Sequence, residues 1–265
     1  MYKEFSEFSQ AQSLDITTSS EVIIDQADRV AVRVTGTNAD KVRVSLRGVV
    51  LRIDDSAAAA SGVTVINTGG GSYSSFNFGD GNVVMSGGSA SMNINGVNIR
   101  VVNGVTYVNG KRIDTDETPQ EKIEPLKIEV LCPPGLELDL TCRGSAHVAS
   151  SPHFARARVN LSGSSSASIR SKSLSSNCSG CAQLVSAHEG GGLMVITSGS
   201  SSVVSRGSFQ FVAATASGSS RIAVDGEVEG DFDASASGSA SIGQRGKIRG
   251  SKSRNTSGCG QVTWF

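Results

Sequence analysis

The residues able to do chemistry are few, and their spacing favours no reaction. Cys178-Ser-Gly-Cys181 has the CxxC spacing of a redox dithiol or of half a zinc site. A structural zinc takes four ligands, usually from two such pairs, and the sequence has no second pair. Cys132, Cys142 and Cys259 stand apart, and His147, His153 and His188 show no ligand spacing. A redox CxxC belongs at a helix N-terminus that stabilises the thiolate, whereas Gly and Ser surround this pair and disfavour helix. The cysteines therefore read as structural thiols. Asp225, Glu227, Glu229, Asp231 and Asp233 alternate along one stretch, as in a cation site, and Arg245, Lys247 and Arg249 along the next, as in an anion site. A phosphate loop needs GxxxxGK[ST] between a strand and a helix; the glycine-rich run 68–81 has no lysine after it and no helix signal. No histidine has a matched acid within its repeat. No catalytic, metal-binding or cofactor-binding residue is assigned, and a noncatalytic protein is expected.

The alternating charges make sense once the elements that carry them are found. A Ser-Gly phrase recurs around Gly144, Gly163, Gly180, Gly199, Gly218, Gly238 and Gly258, at spacings of 19, 17, 19, 19, 20 and 20 residues. A fixed period near 20 marks a repeat architecture. Four residues after each glycine stands Val148, Ala167, Leu184, Val203, Ile222, Ile242 or Val262, all apolar. Two residues after it the side chain is small or absent, and the odd offsets are mostly polar. Apolar even positions against polar odd ones give the period of two of a strand with one buried face. One such strand cannot bury that face alone, but stacked copies can, so each repeat is expected to be one coil of a parallel β-solenoid. At about 4.8 Å per coil, Cys142 and Cys178, two coils apart, are too distant for a disulfide, as are Cys181 and Cys259, four coils apart. The same register puts Asp225, Glu227 and Glu229 beside Arg245, Lys247 and Arg249, with Arg206 on the other side. The charges are thus expected to form a ladder that penalises a slipped register.

The recurring SGSSS-x-x-I/V phrase resembles the auto-transporter adhesin family with a head GIN domain, and Leu126–Leu136 resembles the strand-and-proline lead into its repeats. The likeness covers residues 20–53 and 121–265, with 1–19 like a leader strand and 54–120 like an insertion. It implies a right-handed β-helix and carries no catalytic residues. Members of that family are commonly exported, whereas residues 1–8 here lack the basic start and apolar core of a secretory signal. An intracellular protein is expected, or an extracellular one if a leader was removed.

The expected architecture is all-β, a right-handed parallel β-helix with 17–20 residues per repeat. It divides into N-terminal β cap strands over 1–53, a Gly-rich insertion with β-hairpins over 54–120, and solenoid repeats over 121–265. Residues 20–53 read as four strands, Glu21–Asp25, Arg29–Thr35, Lys41–Leu46 and Val49–Ile53, separated by turn residues. These strands are expected to cap the open end, because a bare strand edge templates aggregation. Ala57–Ala60 reads as a linker or single helical turn, 68–81 as flexible, and Asp114–Glu124 as a surface connection. Asn103-Gly104 and Asn109-Gly110 between apolar runs signal hairpins.

Net charge is zero, with 24 basic and 24 acidic residues, which weighs against nucleic acid as the main partner. No apolar run is long enough to span a membrane as a helix. A protein partner or larger assembly is expected, with self-association through the solenoid ends an option. Candidate partner-binding residues are Tyr73, Phe76, Phe78 and Tyr107 in the insertion, and Trp264 and Phe265, of which Trp264 could instead plug the core. The other readings are a cell-surface adhesin or carbohydrate-binding module using the Ser rows and, remotely, a β-helical polysaccharide-active enzyme.

Overall fold

A computed structural model describes residues 2–6, 8–55 and 125–265, together with the backbone of seven strands between positions 63 and 113. The chain forms two compact units, Met1–Ala57 with Pro125–Phe265, and Ala58–Glu124. The expected features at Ala57–Ala60 and Asp114–Glu124 lie outside the described residues.

The first unit is a parallel β-solenoid of about seven turns. Its strands run into and out of the glycine turn, giving a pre-turn and a post-turn face. On the post-turn face Val22, Val148, Ala167, Leu184, Val203, Ile222, Ile242 and Val262 stand opposite one another in successive strands. None is more than 5 % exposed. The column four residues after the glycine is therefore the core, as the period of two requires. At the turn the seven glycines have φ between +62° and +75°. A Cβ on Gly163 would lie 2.7 Å from the Gly144 carbonyl oxygen, so this stack of backbones leaves no room for a side chain. Ser165, Ser201 and Ser220, two residues past their glycines, are buried and donate Oγ–H to the carbonyls of Ser162, Ser198 and Ser217 at 2.8–2.9 Å.

Unequal repeat lengths are absorbed at the opposite corner. Ser171 pairs with His188 and Leu174 with Leu193, so two intervening residues in one coil face four in the next. That difference converts a 17-residue repeat into a 19-residue one while both apolar columns stay aligned. Gly207, Gly226 and Gly246 stack at this corner with positive φ.

The N-terminal strands do more than cap. Ser13–Thr18 pairs in parallel with both Glu137–Cys142 and Val50–Asp54. Glu21–Gln26 lies between Lys127–Cys132 and His147–Ser150, parallel to both. Residues 13–26 are therefore one coil laid inside the ladder, although 1–19 reads as a leader. Antiparallel strands close this end: Ala31–Thr35 and Tyr2–Phe5 on the post-turn face, Arg43–Arg47 on the pre-turn face. The turn of the inserted coil is finished by Asp55, fully buried, whose carboxylate accepts from Thr18 Oγ1 at 2.8 Å and Ser19 N at 3.0 Å. It supplies the acceptor that a preceding coil's carbonyl would otherwise provide.

At the C-terminal side the core columns of the pre-turn face end in charge. The column Leu193–Val212–Phe232 ends in Lys252, and Val195–Ala214–Ala234 ends in Arg254. On the post-turn face the Trp264 ring packs edge-on to the buried Phe232 ring, with centroids 5.0 Å apart.

The charge ladder forms in the expected register. Asp225 stands opposite Arg206 and Arg245, and Val228 bridges Ile248 at the same offset. The close contacts concentrate on Arg249, 3.5 Å from Glu227 and 3.4 Å from Glu229.

The second unit consists of two antiparallel sheets. One holds Val63–Asn67, Tyr73–Phe78 and Gly81–Ser86; the other holds Ser89–Ile94, Val97–Val102, Val105–Val108 and Lys111–Ile113. Val102 pairs with Val105 across Asn103-Gly104, and Val108 with Lys111 across Asn109-Gly110. A third pair, Asn95-Gly96, lies between Ile94 and Val97 in the same way. Within the run 68–81, read as flexible, Tyr73–Phe78 is the central strand of the first sheet, with β-forming partners on both sides, and positions 68–72 and 79–80 lie outside the described residues.

Candidate functional site

The pre-turn face carries the features that distinguish this solenoid from a plain serine-coated rod. Along its strands the even-numbered residues of 193–197 point outward, since Leu193, Val195 and Thr197 are buried. Met194 is 50 % and Ile196 51 % exposed, and Phe211 on the next coil is 45 % exposed. The Phe211 ring lies over Gly192, where a Cβ would collide with it. Met194 sits in register between Ser175 and Ala213, and Ile196 between Asn177 and Thr215. Three large apolar side chains are thus grouped on two coils among small and polar neighbours. Exposed apolar groups rimmed in this way mark contact surfaces. The sequence carries a signal for them: the unbroken run Leu193-Met-Val-Ile196 breaks the alternation within its own strand.

Toward the N-terminal coils the same face becomes ionic. A groove of about 270 Å³ is lined by Ser13, Asp15, Glu137, Asp139, Arg156 and Arg158 among others. Arg52 forks onto Asp15 at 2.7 and 2.8 Å, Arg158 lies 3.3 Å from Asp139, and Arg156 lies 3.5 Å from Glu137. Asp15 and Asp139 are neighbours in register, the arrangement an acid/base pair would need. Each is instead engaged by its own guanidinium, so the row is a ladder of ion pairs.

The histidines are separate. His188 is 4 % exposed; its Nε2 is 2.9 Å from Ser186 Oγ, which is 2.8 Å from Ser205 Oγ. Burial lowers its pKa to about 4, with the charge of His153 adding to the shift. It is an internal neutral imidazole. His147 Nδ1 is 2.6 Å from Ser166 Oγ on the outward side of the post-turn face. The Ser166 N–H is already donated to the Ala146 carbonyl at 2.8 Å.

All five cysteines are free; Cys132, Cys142 and Cys178 are buried, and Cys181 and Cys259 exposed. Burial pushes the Cys178 thiol up to about 12, so the CxxC joins an inert core thiol to a surface one. Among the described residues no group of three or more His, Cys, Asp or Glu could hold a metal ion.

Tyr73, Phe76 and Phe78 lie on the central strand of the three-stranded sheet, and Tyr107 on a strand of the other sheet. Trp264 is half-buried against Phe232, whereas Phe265 is 78 % exposed. Of these two candidates Trp264 is the one with a described ring contact.

No protein-family model and no curated protein matches the sequence. Solved structures do match in fold. A candidate adhesin from Bacteroides fragilis aligns over 99 % of this chain and 96 % of its own, with a TM-score of 0.54 at 11 % identity. The shared feature is the β-solenoid fold. A candidate lipid-binding protein from Parabacteroides distasonis aligns over the same shares, with a TM-score of 0.53 at 14 % identity. At such identities the adhesin-type likeness is one of fold. No helix among the described residues is long and apolar enough to cross a membrane.

Proposed function

We propose that the protein is a noncatalytic, adhesin-like docking module whose rigid solenoid presents its pre-turn face to a protein partner. The observation that carries this reading is the grouping of Met194, Ile196 and Phe211 on two adjacent coils, each close to half exposed. The ladder backbone holds them in place before contact, which lowers the ordering cost of binding. The adhesin name of the Bacteroides fragilis fold neighbour supports the same reading. Tyr73, Phe76, Phe78 and Tyr107 of the inserted sheets are the second contact region in this proposal. End-to-end self-association is disfavoured, because Lys252 and Arg254 stand where a stacked copy would need apolar side chains.

The test compares affinity purification of the wild-type chain with that of Met194→Ser combined with Phe211→Ser. A co-purifying protein retained by the wild type and lost by the double variant, at unchanged melting temperature, is the expected outcome. Equal recovery by both moves the docking surface elsewhere. The carbohydrate reading is supported by the hydroxyls of Ser13 and Ser175 at the ionic groove, and a glycan array with an Arg158→Ala control checks it. That neighbour's adhesin name favours a cell-surface setting. Surface biotinylation of intact source cells checks that, and labelling only after lysis overturns it.

A further inference from the structure

Charge along the solenoid changes sign between its last two coils. The coil carrying Asp225, Glu227, Glu229, Asp231 and Asp233 has five acids. The next carries Arg245, Lys247, Arg249, Lys252 and Arg254 and no acid. Register places Arg245, Lys247 and Arg249 beside Asp225, Glu227 and Glu229, and Lys252 and Arg254 beside Phe232 and Ala234. On the other side the strand Lys252–Thr256 has no partner strand among the described residues, and all five of its residues are exposed.

The direction of its backbone groups follows from the ladder. Ser251 accepts from Phe232 N at 2.9 Å and Ser257 donates to Ala236 O at 3.0 Å. In a parallel ladder alternate residues bond to opposite neighbours, so Lys252, Arg254 and Thr256 turn their N–H and C=O groups toward the open side. The same two bases hold the positions where the core columns stop. Unpaired backbone groups and unpaired positive charge therefore coincide on one edge. Arg245, Lys247 and Arg249 are matched by the acids of the preceding coil, whereas Lys252 and Arg254 face Phe232 and Ala234 and have no acid opposite them, and edge protection alone would need only one such charge.

We propose that this edge takes an extended acidic polypeptide segment as an added strand. The chain shows the geometry on the other side of the same coil, where an Asp-x-Glu-x-Glu stretch lies in register beside Arg-x-Lys-x-Arg. Acids at alternate positions of the incoming strand meet Lys252 and Arg254, and its backbone meets their N–H and C=O groups. A flexible polyanion such as a nucleic acid satisfies the charges but not the strand edge. The proposal is independent of the docking patch on the pre-turn face.

The probe is a fluorescein-labelled peptide repeating residues 225–233, titrated with the whole chain at low ionic strength and followed by anisotropy. Saturable binding is expected, weakened by salt, by Asn and Gln in place of the acids, and by N-methylation of alternate backbone amides. Lys252→Ala with Arg254→Ala is expected to weaken it roughly tenfold or more. Both side chains are exposed, so the variant should melt with the wild type, which a thermal scan verifies. Absent binding, equal binding of the neutral peptide, or an unaffected double variant overturns the proposal. Tighter binding of an oligothymidylate of equal charge, or indifference to N-methylation, also overturns it, in favour of a general polyanion site.

Discussion

The ladder is one continuous core built in two ways. From Gly144 onward each strand pairs with the one a single repeat away, as Val203 does with Ile222. Before that point the partners come from distant parts of the chain. Leu14 pairs with Leu138, and Val22 with Ile128 and Val148. Both regions bury the same side-chain types to the same degree, and Val22 and Ile222 are each fully buried. What differs is the closure entropy. Short loops close each later coil, whereas the inserted coil brings together segments more than 100 residues apart, a larger but slowly growing cost. The later coils should therefore form without the N-terminal strands, and the N-terminal coil should depend on a preformed edge.

Substitutions at matched positions break or sharpen that contrast, and the largest effect comes first. Ile222→Asp should cost about 4 kcal/mol or more by placing an unpaired charge in the core, and remove hydrogen-exchange protection from the coils on both sides. Val22→Asp should cost a similar amount locally but leave the coils beyond Gly163 protected. A single urea transition abolishing all protection in both variants would show the two regions to be one cooperative unit.

Next in size is a pH effect confined to the later coils. His188 titrates near 4 when folded, against an ordinary value of 6.5. The unfolded chain therefore binds the extra proton between those values. Stability from this site is complete above about pH 6.5, falls as pH drops toward 4, and changes no further below it. The full loss is up to roughly 3 kcal/mol. Urea midpoints across this range should slope in the wild type and flatten in His188→Leu.

The turn cap of the inserted coil comes third. Asp55→Ala strands Thr18 Oγ1 and the Ser19 N–H, a loss of about 1–3 kcal/mol, and thermal melts should register it. Asp55→Asn should lose less, because its amide oxygen still accepts. The smallest effect is a pattern of reactivity: a thiol reagent on the native protein should modify Cys181 and Cys259 promptly. Cys132, Cys142 and Cys178 should react only on unfolding, since burial holds their thiols near 12.

The later coils were legible because their information is local and repeated. Seven glycines announce the turn, and the apolar residue four positions on announces the core, so pairing could be written down column by column. The acid and base rows followed from the same offset, although Arg249 gathers both glutamates rather than pairing with one. The docking patch was readable in principle from Leu193–Ile196, where the alternation fails, but one irregular run among many Val and Ile residues does not show which side is outward until its neighbours are placed. The third Asn-Gly pair at Asn95 was equally visible as a hairpin signal. In the glycine-rich stretch before it, composition outweighed the strand-forming Tyr73–Phe78.

By itself, the sequence determined the parts of this protein governed by short-range stereochemistry: the positive-φ glycine turn, the period of two, the repeat length and the alternation of charge. Only the tertiary structure decided where residues 13–26 lie, since no local signal tells a strand which of several equivalent edges it will join. It also decided that Asp55 closes a turn 36 residues away, and that Lys252 and Arg254 fall in columns that are apolar in the coil before them. Each of these depends on which backbone groups remain unpaired once the rest of the ladder has formed, a property of the assembled sheet.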